Sequence, residues 1–175
     1  MHDSTRNASS SRFASLIIVA VAMIVLPALT PTHADAGGDW NDAAINWQSY
    51  EDGLLKAKSG SIPVCLVFYT DWCPHCAGYS KVFHDPTVVE MSKRFVMIRV
   101  ERDGNREISK KYAPDGEYIP RTHFLTPEGE IRPEIHEKRA TYLYFFDESD
   151  PQGLLGGMRE ALGEEGKVDL TGGKP

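Results

Sequence analysis

The stretch that decides the fold is Phe68-Tyr69-Thr70-Asp71-Trp72-Cys73-Pro74-His75-Cys76. Its two cysteines are separated by two residues and follow an apolar, β-prone run over residues 62–68. Pro74 suits the first turn of a helix, because its fixed φ matches that position and its missing N–H is not needed there. The segment therefore predicts a strand that leads into a helix at Cys73. A Cys-x-x-Cys pair at such a junction is typical of a dithiol/disulfide redox site.

The N-terminal segment has the three-part layout of an export signal. Arg6 and Arg12 precede an uncharged stretch over residues 13–30, and Ala34-Asp35-Ala36 fits an A-x-A cleavage site. We therefore predict a cleaved signal peptide over residues 1–36, which meets the membrane only transiently. An uncleaved membrane anchor is the alternative, because about 18 uncharged residues are the shortest stretch that spans a bilayer.

The net charge and the C-terminal residues limit the cellular compartments and the classes of partner that we expect. The chain carries a net charge of −6 and has no basic cluster, so a nucleic-acid partner is not expected. The last five residues, Thr171-Gly172-Gly173-Lys174-Pro175, are not a retention signal of the Lys-Asp-Glu-Leu type. We expect a periplasmic or secreted protein with one domain over residues 37–163 and a flexible tail over residues 164–175.

The three cysteines divide into a close pair and a third residue. A disulfide between Cys73 and Cys76 closes a loop too small to remove much chain entropy, so a redox role explains the pair better than a structural one. Cys65 lies within the apolar run and is predicted to pack in the core as a small hydrophobic residue. A reactive third thiol is the alternative for Cys65.

Apolar periodicity predicts an alternation of helices and strands along the chain. Helices are predicted over residues 41–59, 73–84, 87–94, 105–112 and about 149–162. Strands are predicted over residues 62–70, 95–100, 121–125 and 130–136. Crossover helices imply parallel pairing of the first strands, whereas the turn at 126–129 implies an antiparallel hairpin. The fold class is therefore α/β, with a mixed central sheet of about four strands flanked by helices on both faces.

Further motifs resemble the thioredoxin superfamily. Its members carry a cis Ile-Pro bond that faces the dithiol, and Ile119-Pro120 stands at the corresponding place before the strand 121–125. Within the superfamily, several motifs resemble those of the small single-domain thioredoxins of the endoplasmic reticulum, which include the anterior-gradient proteins. The motifs are Tyr118-Ile119-Pro120-Arg121, Phe124-Leu125-x-Pro127-x-Gly129, Pro133-Glu134-Ile135 and Tyr144-Phe145. The resemblance implies a thioredoxin fold and a protein thiol–disulfide oxidoreductase.

The predicted catalytic residues are the four of the Cys-Pro-His-Cys motif. Cys73 is expected at a helix N-terminus, where unpaired N–H groups stabilise the attacking thiolate, and Cys76 one turn deeper as the resolving thiol. Pro74 fixes the first turn, and His75 is expected to tune the dithiol as an imidazolium or as a donor toward sulfur. Thioredoxin has a buried aspartate where this chain has Val67, so the usual carboxylate for proton transfer is absent from that strand.

The predicted substrate-binding residues surround the dithiol. Trp72 is expected to pack beside it and to shape the substrate surface. The main chain of Ile119, before Pro120, is expected to pair with an extended substrate. Arg121 has two interpretations, a substrate contact or, as the preferred one, an exposed charge at the end of a strand.

The residues between the cysteines bear on the direction of electron flow. The dipeptide Pro74-His75 is also found in a strongly oxidising periplasmic member of the superfamily, whereas thioredoxin has Gly-Pro. We therefore expect an oxidant or isomerase that acts on protein cysteines, together with a redox partner that the sequence does not identify. An exported reductase of the type that serves cytochrome c assembly is the alternative within this class.

Two other classes of function are alternatives to the redox hypothesis. A metal-binding or metal-delivery protein would use the Cys-x-x-Cys pair with His75, His84 or His123, but none of these histidines stands at a convincing ligand spacing. A redox-inert chaperone is disfavoured because both cysteines are present. Neither a cofactor nor a resident metal is expected.

Overall fold

The apolar run before the two cysteines forms a central strand of a mixed sheet in the computed structural model, which describes residues 38–164. The strands of this sheet are β1 Trp47–Gln48, β2 Val64–Tyr69, β3 Val96–Glu101 and β4 Arg121–Leu125. Their order is β1-β3-β2-β4. β3 pairs in parallel with β1 and β2, whereas β4 is antiparallel to β2. The predicted α/β class and mixed sheet are confirmed.

The helices cover both faces of this sheet. They are α1 Tyr50–Gly60, α2 Pro74–Ser80, α3 Pro86–Ser92, α4 Arg106–Lys111 and α5 Gln152–Ala161, with a 3₁₀ turn at Lys81–His84 directly after α2. Asp85 ends that turn and caps α3, since its carboxylate accepts the N–H groups of Thr87 and Val88. Side chains of α2, α3 and α5 pack on one face of the sheet, and those of α1 and α4 pack on the other.

Alternation along β2 divides its side chains between two apolar cores. Cys65 and Val67 share one core with Cys73 and Cys76, whereas Leu66 faces the opposite one. Cys65 is fully buried, and burial raises the pKa of its thiol. The prediction that Cys65 packs in the core is therefore confirmed.

Two predicted elements were wrong. The helix predicted over residues 41–59 begins only at Tyr50, because Trp47 belongs to the edge strand β1 and pairs with Met97. The strand predicted over residues 130–136 is reduced to a single bridge between Ile131 and Leu125. Pro133 cannot donate a ladder hydrogen bond, and the chain turns there.

The two terminal segments predicted from the sequence lie outside residues 38–164. The predicted signal peptide over residues 1–36 lies outside the described residues, as does the predicted tail beyond residue 164. Both remain predictions, together with the domain boundary at residue 37. Between residues 38 and 164, none of the helices is both long and apolar enough to cross a bilayer.

Candidate active site

Cys73 lies where β2 passes into α2. It caps α2, and its Sγ accepts the N–H of Cys76 at 3.1 Å. Its own N–H donates to the Thr70 carbonyl at 3.3 Å, which closes the turn between strand and helix. Only 4% of Cys73 is exposed. The sulfur thus accepts an N–H of the first helical turn that has no acceptor within the helix, and negative charge is stabilised there.

Cys76 lies one turn farther into α2 and is fully buried. Burial raises the pKa of its thiol, and the hydrogen bond with Cys73 raises it further. Both cysteines are free in the structure. A thiol with a raised pKa keeps its proton, which favours a dithiol whose reactive sulfur is Cys73.

Val67 stands on β2 at the position where thioredoxin has a buried aspartate. It is fully buried in the same apolar core as both cysteines, and no carboxylate is present at that position of β2. Asp71 is exposed in the turn before Cys73. β2 therefore supplies no acid to Cys76.

Trp72 stands at the surface next to Cys73. Its side chain is 64% exposed, yet its indole N–H donates to Asp103 Oδ2 at 2.9 Å. The guanidinium of Arg102 lies 5.6 Å from the centre of the ring. The hydrogen bond from Trp72 and then that from Arg102 hold the pKa of Asp103 below its usual range. A large apolar surface is thereby kept in a fixed place beside the dithiol.

His75 contacts a carboxylate that the sequence analysis did not find. Its Nδ1 lies 3.0 Å from Glu148 Oε2, and its ring lies 5.9 Å from that of Phe145 at 76°. The imidazole is 64% exposed and lines an open groove with Tyr142, Phe145 and Glu148. Nδ1 therefore faces Glu148, and the expected tuning of the dithiol by His75, as an imidazolium or as a donor toward sulfur, stays a prediction.

The Ile119–Pro120 peptide bond is cis, as the sequence predicted. Pro120 is buried, and Ile119 packs against the apolar core that contains both active-site cysteines. Tyr118 ties this loop to the segment after residue 139, since its hydroxyl donates to Asp115 and accepts the Tyr144 N–H at 2.9 Å. The loop is therefore fixed on both sides of its proline.

The structure contradicts both interpretations of Arg121, the substrate contact and the exposed charge. It is fully buried rather than exposed, so it neither ends in solvent nor reaches a substrate. Its guanidinium donates to the Tyr118 carbonyl at 2.6 Å and to Ser109 Oγ at 2.7 Å, and it lies 4.7 Å from the centre of the Phe68 ring. Burial lowers its pKa to about 10. Arg121 joins the cis-proline loop to α4.

The histidines do not gather around the cysteines. His84 Nε2 bonds to the Asp39 carbonyl at 2.9 Å, and His123 is buried on the face of the sheet opposite the dithiol. Within residues 38–164, no group of three or more His, Cys, Asp or Glu side chains is placed to hold a metal ion. The structure gives no support to the metal-binding alternative.

Sequence reasoning missed Glu148, Phe145 and Asp103 at this site. Glu148 is 73 positions from His75, and Asp103 is 31 positions from Trp72. Residues 142–146 form an apolar, mostly aromatic run with neither a helical nor a strand period, so the sequence does not indicate that this segment reaches His75.

Comparison with known proteins identifies relatives of this chain. A thioredoxin-like family model matches residues 46–127. The human anterior gradient protein 2 homolog is 31% identical over 124 residues, which cover 70% of this chain and 69% of that protein. Anterior gradient protein 2 of Xenopus tropicalis is 28% identical over 152 residues, with 84% and 90% covered.

Solved structures show the same fold. A thioredoxin from Thermus thermophilus superposes with a TM-score of 0.54 at 23% identity, over 70% of this chain and 91% of that one. A structure named DsbH oxidoreductase gives a TM-score of 0.52 at 19% identity, over 77% and 92%. The chain therefore belongs to the thioredoxin-like family, with the anterior gradient proteins among its relatives.

Proposed function

We propose that this chain is an exported thiol–disulfide oxidoreductase that exchanges a Cys73–Cys76 disulfide or dithiol with protein cysteines, as an oxidant or isomerase. The observation that carries the proposal is the hydrogen bond from the Cys76 N–H to Cys73 Sγ at 3.1 Å, at the start of α2. A sulfur so placed is stabilised as the thiolate, which is the attacking species in disulfide exchange. Family membership and the naming of one structural neighbour as an oxidoreductase support the same class of reaction.

The oxidising half-reaction uses both cysteines. A substrate thiolate attacks Cys73 Sγ, the bond between Cys73 and Cys76 breaks, and Cys76 leaves as a thiolate that takes up a proton. A second substrate thiolate then attacks the substrate sulfur of the mixed disulfide, and Cys73 leaves. Two electrons pass from the substrate dithiol to the protein, which ends as the reduced dithiol. Reoxidation by a separate disulfide partner completes the cycle.

The surface around Cys73 fits an extended protein substrate. Trp72 offers an exposed apolar ring on one side, and Ile119 with Pro120 forms a fixed loop packed against the core of the dithiol. A main-chain pairing with Ile119 would align a substrate cysteine, while the indole covers its neighbouring side chain. We assign substrate binding to Trp72, Ile119 and Pro120 on this basis.

Export is the second part of the proposal. The charged, apolar and A-x-A segments within residues 1–36 support it, and so does the use of a dithiol that needs an oxidising compartment to recharge. Cell fractionation with N-terminal sequencing of the mature protein tests this part alone. A mature chain that begins near residue 37 supports it, whereas a cytoplasmic chain with an intact N-terminus contradicts it.

The redox proposal is tested by equilibrium with glutathione, followed by insulin reduction and refolding of scrambled ribonuclease. We expect Cys73→Ser to abolish exchange, Cys76→Ser to trap a mixed disulfide at Cys73, and Cys65→Ala, the buried control, to exchange as the wild type does. A wild-type potential as low as that of thioredoxin, about −270 mV, would contradict the oxidant and identify a reductase. Failure of the wild type to exchange at all would refute the whole proposal.

A further inference from the structure

We propose that Glu148 is a positioning residue that fixes His75 through Nδ1 and offsets its charge, so that the disulfide is a weaker oxidant than the Cys-Pro-His-Cys motif alone would provide. The inference rests on the proposed function, because it concerns the tuning of the same dithiol. It extends the redox site to a residue 73 positions away in the chain.

The carboxylate of Glu148 is held from two sides. Oε2 lies 3.0 Å from His75 Nδ1, and a Cβ at Gly78 would lie 3.0 Å from the same oxygen. Positions 75 and 78 share one face of α2, since they are three residues apart. The carboxylate therefore fits into a space that the glycine leaves open beside the imidazole. Any larger residue at position 78 would press on it.

The segment that carries Glu148 is itself ordered by side-chain hydrogen bonds. Asp147 Oδ1 accepts both the N–H and the hydroxyl of Ser149 at 2.7 Å, and Asp150 Oδ1 accepts the Gln152 N–H at 3.0 Å where α5 begins. Glu148 is thus placed between two turns, and 35% of its side chain is exposed. The main chain is therefore ordered on both sides of the residue that presents its carboxylate to His75.

Phe145 completes the environment of the ring. Its ring meets that of His75 edge to face at 5.9 Å, and the guanidinium of Arg139 lies 5.5 Å from the centre of the Phe145 ring. The imidazole therefore has an aromatic neighbour and a carboxylate, which together fix its orientation at the edge of the groove.

The sign of the effect follows from counting charge. With Glu148 ionised, the pair carries one negative charge when the imidazole is neutral and none when it is protonated. With a glutamine at position 148, the same two states carry no charge and one positive charge. Loss of the carboxylate therefore makes the surroundings of Cys73 more positive, or leaves them unchanged if the ring loses its proton too. It never makes them more negative, so the thiolate is stabilised or unaffected.

A more stable thiolate stabilises the reduced protein. In the exchange with glutathione, the protein disulfide and two glutathione thiols become the protein dithiol and one glutathione disulfide. We expect Glu148→Gln to shift this equilibrium toward the reduced protein by about threefold to tenfold, equivalent to about 14 to 30 mV. The shift is modest because the pair is partly exposed and solvent screens it.

The experiment compares the wild type with four variants of the full chain in one series of glutathione buffers. The variants are Glu148→Gln, His75→Gln, the double variant of His75 and Glu148, and the control Asp147→Asn. The control removes a neighbouring charge but keeps a side-chain oxygen that can accept the hydrogen bonds of Ser149. The rate of alkylation of Cys73 is the second readout, because a merely structural role for Glu148 would not raise it. Thermal unfolding verifies that each variant is folded.

We expect Glu148→Gln to shift the equilibrium with glutathione further than Asp147→Asn does. In the His75→Gln background, we expect the loss of Glu148 to shift it only as far as Asp147→Asn does. Equal shifts in Glu148→Gln and Asp147→Asn, with a wild type that exchanges normally, would overturn the role of Glu148 and leave the proposed function standing. A wild type that does not exchange with glutathione would overturn both.

Discussion

His123 on β4 makes the folded protein sensitive to acid. Its ring is fully buried, and neither ring nitrogen has a hydrogen-bond partner of good geometry. The ring centres of Tyr144 and Phe68 lie 4.3 and 6.3 Å away. Burial, followed by the charge of Arg121, lowers the pKa of His123 to about 3, and the nearby main chain of Tyr112 opposes this only weakly. The folded protein therefore holds this imidazole neutral.

The cost in stability follows from proton linkage. An unfolded histidine has a pKa of about 6.5, so below that pH the unfolded chain binds a proton that the folded chain rejects. The folded state therefore loses stability as the pH falls from about 6.5 toward 3, by up to about 1.4 kcal/mol for each pH unit. Between about pH 7.5 and 4.5 the loss from His123 alone is about 2.7 kcal/mol. Because domains are stable by about 5–15 kcal/mol, this is a large share.

The assay is urea unfolding of the reduced protein across that pH range, with His123→Phe as the test and the exposed His84→Gln as the control. Phenylalanine keeps the aromatic contacts and does not titrate, so we expect its unfolding free energy to fall by about 2.7 kcal/mol less than that of the wild type. His123→Leu serves as a second variant should the larger ring overfill the site. Parallel pH profiles for the wild type and both His123 variants would refute the reasoning.

Two further predictions concern Trp72 and Cys65. Because Asp103 accepts the Trp72 indole N–H and has a lowered pKa, the fluorescence of Trp72 should change only below the usual aspartate range. In Asp103→Asn this titration should vanish, and its persistence would show that another group controls the indole. Cys65 should resist alkylation until the protein is denatured, since it is fully buried with a raised pKa. Cys65→Ala should cost about 1 kcal/mol in urea unfolding, comparable to the loss of one buried methyl group, and rapid labelling of Cys65 in the folded protein would contradict its burial.

The two central strands were predictable because they contain apolar runs. β2 is apolar throughout, and β3 is apolar except for the half-buried Arg99 and Glu101, so both runs stand out in the sequence. The edge strand β1 was not predictable, because two residues carry no period and Trp47 also fits the helical spacing of its neighbours. The strand predicted over residues 130–136 does not form, because Pro133 cannot donate a ladder hydrogen bond, although the turn before it suits a hairpin.

The residues of the candidate site were likewise predictable only in part. Cys73 and Cys76 lie in one helical turn, and the loop at Pro120 follows from a local motif, so sequence spacing alone identifies them. Glu148 and Asp103 reach the site from loops whose course depends on tertiary packing, which no period in the sequence reports. Arg121 was misplaced because a charge at the start of a strand is usually exposed, whereas here Ser109 and the Tyr118 carbonyl solvate it inside the fold.

The raised pKa of Cys76 bears on which redox role the site suits. To resolve a mixed disulfide at Cys73, the Cys76 thiol must first lose its proton, and burial opposes that loss. In thioredoxin a buried carboxylate assists this step, but here Val67 occupies the position and no acid replaces it on β2. We therefore expect resolution by Cys76 to be slowed, which leaves more time for attack by a second thiol of the substrate itself. A mixed disulfide that persists until another substrate cysteine attacks it yields a new substrate disulfide, which is the outcome that an oxidant or isomerase requires and a reductase avoids.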